Sequence, residues 1–211
     1  MNLSHKEDCP CGDCFDDCPY LVIGRNMAGG HQRGNTIGAS DAPRLLGLDP
    51  HISARDAFGA FVMRESTPPN VYTEEGGWFE EPVMMWAAER TGRPFLPWQD
   101  RLRSRRHQWL SATPDGSDGE TGLVEVKCTT RRTFETYWKG RDTPPDKVVC
   151  QVQLQLYVTG RRTCAVLHKC EGQYPSVRDV PRDERLIMNL VTSLEAIWNQ
   201  VLEARKRLEL K

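Results

Sequence analysis

Two carboxylates and an ammonium group, Asp115, Glu125 and Lys127, are the side chains of this sequence best placed to do chemistry together. Glu125 and Lys127 stand two apart in the run Gly-Leu-Val-Glu-Val-Lys-Cys, so on a strand both leave one face while Val124 and Val126 leave the other. Asp115 closes the preceding strand. Between them Gly116, Ser117, Asp118 and Gly119 are turn formers that fold the second strand back beside Asp115. Two carboxylates brought to one point each raise the cost of ionising the other, and a hard divalent cation such as magnesium or manganese resolves that cost. The lysine is not a ligand in this reading. Its charge would stabilise a developing hydroxide or a phosphoryl group under attack, which makes phosphodiester hydrolysis the expected chemistry. Taken alone, an acid and a lysine alternating on a strand are more often a solvated surface than a site.

The elements that must position these groups follow from patterning. Ser40 reads as the N-cap of a short helix with Asp41 and Pro43 in its first turn and Gly47 at its end. Ser53 to Asp56 is an acidic capping box opening a second helix that turns Ala57, Phe58, Phe61 and Val62 inward. Residues 66–77 read as loop, and a helix over 81–91 carries Pro82 in its first turn, with Glu81 favoured there by the helix dipole. That helix is apolar nearly all round and is expected to be the central one on the sheet. Phe95 to Thr113 reads as strands around a turn rich in arginine (Arg101, Arg103, Arg105, Arg106), either a solvated face or a path for a phosphate backbone. The mixture of cations and rings from Arg131 to Lys139 could support DNA strands, although aromatic residues are more often core. A helix from Pro145 to Val158 puts Gln151 and Gln155 on one face, Thr163 to His168 is a covered strand, and a long helix from about Arg182 carries an apolar stripe from Ile187 to Leu202.

In order along the chain stand Ile37-Gly-Ala-Ser-Asp-Ala, Leu45-Leu-Gly-Leu-Asp-Pro, Glu81-Pro82, Thr113-Pro-Asp-Gly, Val124-Glu-Val-Lys-Cys and Gln151-Val-Gln-Leu-Gln-Leu-Tyr-Val-Thr-Gly. Together these blocks resemble the phage lambda exonuclease and YqaJ-like viral recombinase family of PD-(D/E)xK nucleases, over roughly residues 33 to 168. The resemblance implies a restriction-endonuclease-like α/β core, a mixed sheet flanked by helices with a long C-terminal helix. It also implies a magnesium- or manganese-dependent exonuclease that digests double-stranded DNA ends 5′→3′ and leaves 3′ overhangs for a single-strand annealing protein in phage-type recombination. By the same resemblance Asp115, Glu125 and Glu81 hold metal, Lys127 supports the attacking water and Gln151 lies beside the acids. Arg33, Ser40 and Thr113 contact the 5′-phosphate, the last where the family commonly has serine. A homotrimer is the family's assembly.

Composition sets the outer limits. At 211 residues and 38% hydrophobic content the chain can bury one good core, and a net charge of −1 excludes a purely electrostatic DNA coat. The N-terminus lacks an apolar signal region and no run approaches a membrane span, as expected of a soluble intracellular, phage- or prophage-encoded protein. Of eight cysteines, Cys9, Cys11, Cys14 and Cys18 crowd an acidic segment with spacing C-x-C-x2-C-x3-C that could hold zinc or an iron–sulfur cluster, or else belong to a reduced, disordered tail. Cys128, Cys150, Cys164 and Cys170 read as small core residues. The expected organisation is a cysteine-bearing tail over 1–32 and a nuclease domain over 33–211. Two rival readings are an iron–sulfur nuclease of the CRISPR-adaptation or helicase-linked type and a non-catalytic module that binds DNA ends.

Overall fold

The computed structural model describes residues 18, 20–25, 35–65, 71–119 and 122–209. Its elements run β1 (Tyr20–Arg25), β2 (Ile37–Gly38), α1 (Ala42–Leu45), α2 (Ala54–Val62), α3 (Val71–Thr91), β3 (Leu96–Pro97), β4 (Asp100–Ser104) and β5 (Leu110–Ala112). They continue with β6 (Gly116–Ser117), β7 (Gly122–Thr129), α4 (Arg131–Tyr137), α5 (Asp146–Thr159), β8 (Thr163–Cys170), β9 (Ser176–Pro181) and α6 (Glu184–Glu209). Among the described residues the strands form two mixed sheets flanked by helices, a smaller one ordered β1-β4-β5-β2 and a larger one ordered β3-β6-β7-β8-β9. Between β5 and β6 the chain passes from one sheet to the other, and Asp115 sits at that crossing.

The turn chemistry behaves as its residues require. Gly119 takes a φ of +81°, and the Asp118 carboxylate accepts the Gly122 N–H at 2.8 Å, so β6 folds back antiparallel on β7 with Gly116 opposite Val124. Strands β7 and β8 are parallel over Gly122–Thr129, and a parallel pair needs a long crossover, which α4 and α5 supply. Both faces of β7 are therefore covered. Val124 and Val126 pack with Val83, Met84 and Ala87 of α3, while Leu123 packs with Val148, Val152 and Leu156 of α5. A third cluster joins the smaller sheet to α1, α2, α5 and α6 through Leu102, Leu110, Phe61, Leu154 and Leu194. The stripe expected on the last helix is the buried one: Ile187, Leu190, Val191, Leu194, Trp198 and Val201 face this core, with Leu202 at its exposed rim.

Four expectations are corrected. Helix α3 begins at Val71 and carries Pro82 in its interior, so the stretch read as loop is helical from residue 71. Packing of Val83, Met84 and Ala87 on the sheet overrides the poor helix propensity of Gly76, Gly77 and Pro82. The same helix is one-sided, since Met85 and Trp86 are exposed. Apart from these corrections, β1 pairs with β4, and Cys18 and Tyr20 are buried in the core. Ser40 does not cap α1, whose N-cap is Asp41 with no side-chain cap bond. Of the four body cysteines, Cys128 is exposed because it ends the alternation of β7 beyond the cover of α3. By contrast Ser53 caps α2 as its spacing indicates, accepting the Asp56 N–H at 3.1 Å.

Arg205 ties the long helix to the end of α2. It is buried, lies over the Trp198 ring at 5.5 Å, and donates to the carbonyls of Phe61 and Val62, two acceptors that a helix C-terminus leaves without intrahelical partners. Arg205→Met keeps the bulk and removes the donors. It should cost about 1–3 kcal/mol, seen as a lowered midpoint in chemical denaturation, and an unchanged midpoint would contradict this account of the α2–α6 junction.

Candidate active site

Glu125 is the deepest charge of the site, at 1% exposure. A carboxylate that far from water must have its oxygens satisfied, and three side chains do this. Lys127 Nζ and Gln151 Nε2, the latter at 2.6 Å, donate to Oε1, while Gln155 Nε2 donates to Oε2 at 2.6 Å. The lysine comes from the same strand face two residues on. The glutamines come from successive turns of α5, four apart, which is why that helix presents two amides to one strand. Asp115 meets this group from the crossing between the sheets. Its Oδ2 accepts the Val126 N–H at 2.7 Å and its backbone carbonyl accepts the Trp98 N–H at 3.1 Å, so the side chain is pinned against β7.

The charges perturb one another. Burial, then Glu125 and Glu80, push the Asp115 carboxyl well above the ordinary range, against the opposing pull of Lys127 and the Val126 amide. Burial and Glu125 likewise raise Glu80, partly offset by its hydrogen bond from Gln99. Burial pulls the Lys127 pKa down, but Glu125, Asp115 and Glu80 outweigh it and the net shift is upward, so the side chain stays an ammonium at neutral pH. Such a cluster of three carboxylates with one ammonium is the kind of perturbed electrostatics found at functional clefts.

These groups open onto a cavity of about 240 Å³. Asp115, Glu125, Lys127, Gln151, Ser40 and Thr113, all proposed from sequence, line it. Glu81 does not: it is exposed on α3, and Glu80 lines the cavity in its place. The reason is helical phase. Val83, Met84 and Ala87 face the sheet, and Glu80 stands three, four and seven residues before them, whereas Glu81 shares its side with exposed Met85. Sequence reasoning also missed Gln155, although its spacing from Gln151 signalled it, and Arg101, one of four arginines that nothing local distinguishes. Arg33, Cys9, Cys11 and Cys14 lie outside the described residues; Cys18, the fourth of that group, is buried among apolar neighbours.

The donor set is made of oxygens, as hard divalent cations require. Asp115 Oδ1 and Glu80 Oε1 accept no hydrogen bond from the described residues, and the raised carboxyls mark a place where added positive charge is favourable. Among the described residues, no three acidic, histidine or cysteine side chains converge closely enough to enclose an ion unaided.

Comparison with known proteins follows the same lines. The family model of the YqaJ-like viral recombinase domain matches residues 30–162, well over half of the chain. Among solved structures, LHK-Exo in complex with dAMP superposes with a TM-score of 0.71 at 19% identity, covering 84% of this chain and 93% of that one. The alkaline exonuclease LHK-Exo from Laribacter hongkongensis gives 0.70 at 20% identity over the same shares. A phage related exonuclease from Haemophilus somnus 129PT gives 0.57 at 12%, covering 80% and 95%. These likenesses show a restriction-endonuclease-like fold. No curated protein matches the chain.

The electrostatics carry a stability consequence. Asp115 and Glu80 bind protons more tightly folded than unfolded, so the stability they contribute is present at low pH and is lost as pH rises from the ordinary carboxylate range through their raised values. Asp115→Asn keeps an acceptor for the Val126 amide and removes the repulsion. In chelator at neutral pH it should be more stable than the wild type by about 1–2 kcal/mol, at about 2–4 °C of melting temperature per kcal/mol, with the gap closing on acidification. A less stable asparagine variant at neutral pH would contradict the repulsive cluster.

Proposed function

The chain belongs to the YqaJ-like viral recombinase family, and from that premise we propose that it is a magnesium- or manganese-dependent exonuclease acting on double-stranded DNA ends. The observation that carries the reading is the convergence of Asp115, Glu125 and Lys127 in one polar cavity, with Gln151 on the same carboxylate. The fold it shares with LHK-Exo and with the phage related exonuclease adds to it.

Asp115 and Glu125 would hold the cation, with Glu80 completing the carboxylate set. When bound, such an ion polarises the phosphoryl oxygens and acidifies water at neutral pH. The remaining work belongs to the chain. Lys127, hydrogen-bonded to Glu125 Oε1, stabilises negative charge as it builds on the attacking water or on the phosphoryl group. Gln151 and Gln155 hold the Glu125 carboxylate in one rotamer, and Val126 holds Asp115, so the acids are aligned before substrate arrives. Digestion runs 5′→3′ in this proposal, with the 5′-phosphate received by Ser40, Thr113 and Arg33, and the surviving 3′ strand passes to a single-strand annealing protein. A homotrimer is the proposed assembly.

Duplex DNA labelled at either end tests this directly. Wild-type protein with magnesium should release nucleotides from the 5′ end, and chelator should stop it. Asp115→Ala, Glu125→Ala and Lys127→Ala should each lower kcat by about 10²–10³-fold or more with the fold retained. Near-wild-type digestion by any of the three would sink the assignment. The two adjacent glutamates separate on geometry: Glu80→Gln should impair digestion, whereas Glu81→Gln should leave it near wild type, and the reverse result would overturn the helical phase of α3 at the site.

A further inference from the structure

Helix α5 carries a third polar residue in register with its two glutamines. Lys147, Gln151 and Gln155 stand four apart and so share one side of the helix. Gln155 and Gln151 reach the two oxygens of Glu125, and Lys147 stands one turn before them, about 6 Å back along the axis. There it lines a second cavity, of about 400 Å³, walled by Leu48 and Pro50 from the loop after α1 and by Tyr137 from the end of α4. Helix α1, packed on α5, joins the same two places: Asp41 before it lines the first cavity and Gly47 beyond it lines the second. The two cavities are neighbours along one pair of helices.

Lys147 is a charge without a counter-charge. Of the other ionised groups around the second cavity, Arg141 and Asp146 pair with each other at 3.6 Å. Lys147 is half-buried, and among the described residues it makes no hydrogen bond and no ion pair. An ammonium held there loses part of its hydration with nothing in return from the protein, so its position favours an anion from outside. The substrate brings one. A cavity of about 240 Å³ takes the group being cut and little else of a duplex, so the rest of the polymer must lie against the adjoining surface. Each strand carries a phosphate about every 3.4 Å of duplex, and the step of about 6 Å from Gln151 to Lys147 spans one or two of them. A lysine is a compact point charge without a planar fork, which suits one contact to a singly charged internal diester. The carbons of Leu48, Pro50 and Tyr137 beside it can pack against sugar.

We infer that Lys147 holds an internal phosphodiester of the duplex next to the bond being cut, a role that rests on the nuclease reading above. Lys147→Met keeps the stem and removes the charge; Lys147→Arg keeps the charge. In an Asp115→Ala background, which leaves the duplex uncut, affinity for one duplex is measured between about 50 and 200 mM salt, with melting temperatures as the control for folding. Lys147→Met should weaken binding by about 3–10-fold at the lower salt and make the slope of log K against log salt shallower by about 0.9, the share of one phosphate contact. Lys147→Arg should keep the slope of its parent. With Asp115 restored, Lys147→Met should raise KM by a similar factor and hold kcat within about twofold, equally on 5′-phosphorylated and 5′-hydroxyl ends. An unchanged slope, or a loss confined to phosphorylated ends, would overturn the inference and leave the nuclease standing. A wild type that digests no duplex overturns the nuclease reading itself, and this inference with it.

Discussion

One buried carboxylate organises this molecule. Glu125 lies on a strand covered on both faces, and a charge there is tolerated only because Lys127, Gln151 and Gln155 meet its two oxygens. Each donor depends on a different part of the fold. Lys127 needs the alternation of β7, the glutamines need α5 laid across the sheet, and α5 is brought there by the crossover that makes β7 and β8 parallel. Asp115 needs the chain to leave one sheet and enter the other at that point. The site is therefore a consequence of where the two sheets and the helix meet, and few local changes could move one of its groups without loosening another.

The same arrangement explains why the cluster is strained without a cation. Asp115 and Glu80 are pushed toward protonation by burial and by Glu125, and one lysine does not neutralise three acids. Stability is given up at the candidate site, a pattern that functional sites commonly show. The hydroxyls of Thr36, Ser40, Ser111 and Thr113 and the guanidinium of Arg101 line the same cavity of about 240 Å³ as the acids.

What could be read from the amino-acid sequence was what depends on short-range periodicity. The alternation around Glu125, the cap at Ser53, the paired glutamines and the stripe on the last helix are set by spacing of two, three or four residues, and they stand in the structure, whereas Gly116 and Ser117, read as turn formers, are the paired strand β6 and the reversal falls after them. What could not be read depends on tertiary contact. Helix α3 contains two glycines and a proline, so spacing alone starts it at residue 81 rather than at Val71; its phase depends on packing against the sheet, which leaves Glu80 and not Glu81 lining the cavity. The run Tyr20 to Ile23 has strand-forming residues, but its pairing with β4 is a contact across some eighty positions. Arg101 looked like its neighbours because only the position of Thr36 singles it out. Ser40, expected to act through a helix terminus, stands instead as an exposed hydroxyl on the cavity wall.

The central claim is that this cavity holds a divalent cation through Asp115 and Glu125. The most direct measurement is the anomalous signal of manganese in crystals of the protein grown with that ion and a short 5′-phosphorylated duplex. The account predicts a peak within bonding distance of carboxylate oxygens of both Asp115 and Glu125, on the side of the cavity lined by Glu80. A peak held by other residues, or none there in crystals whose duplex has been cut, would contradict it.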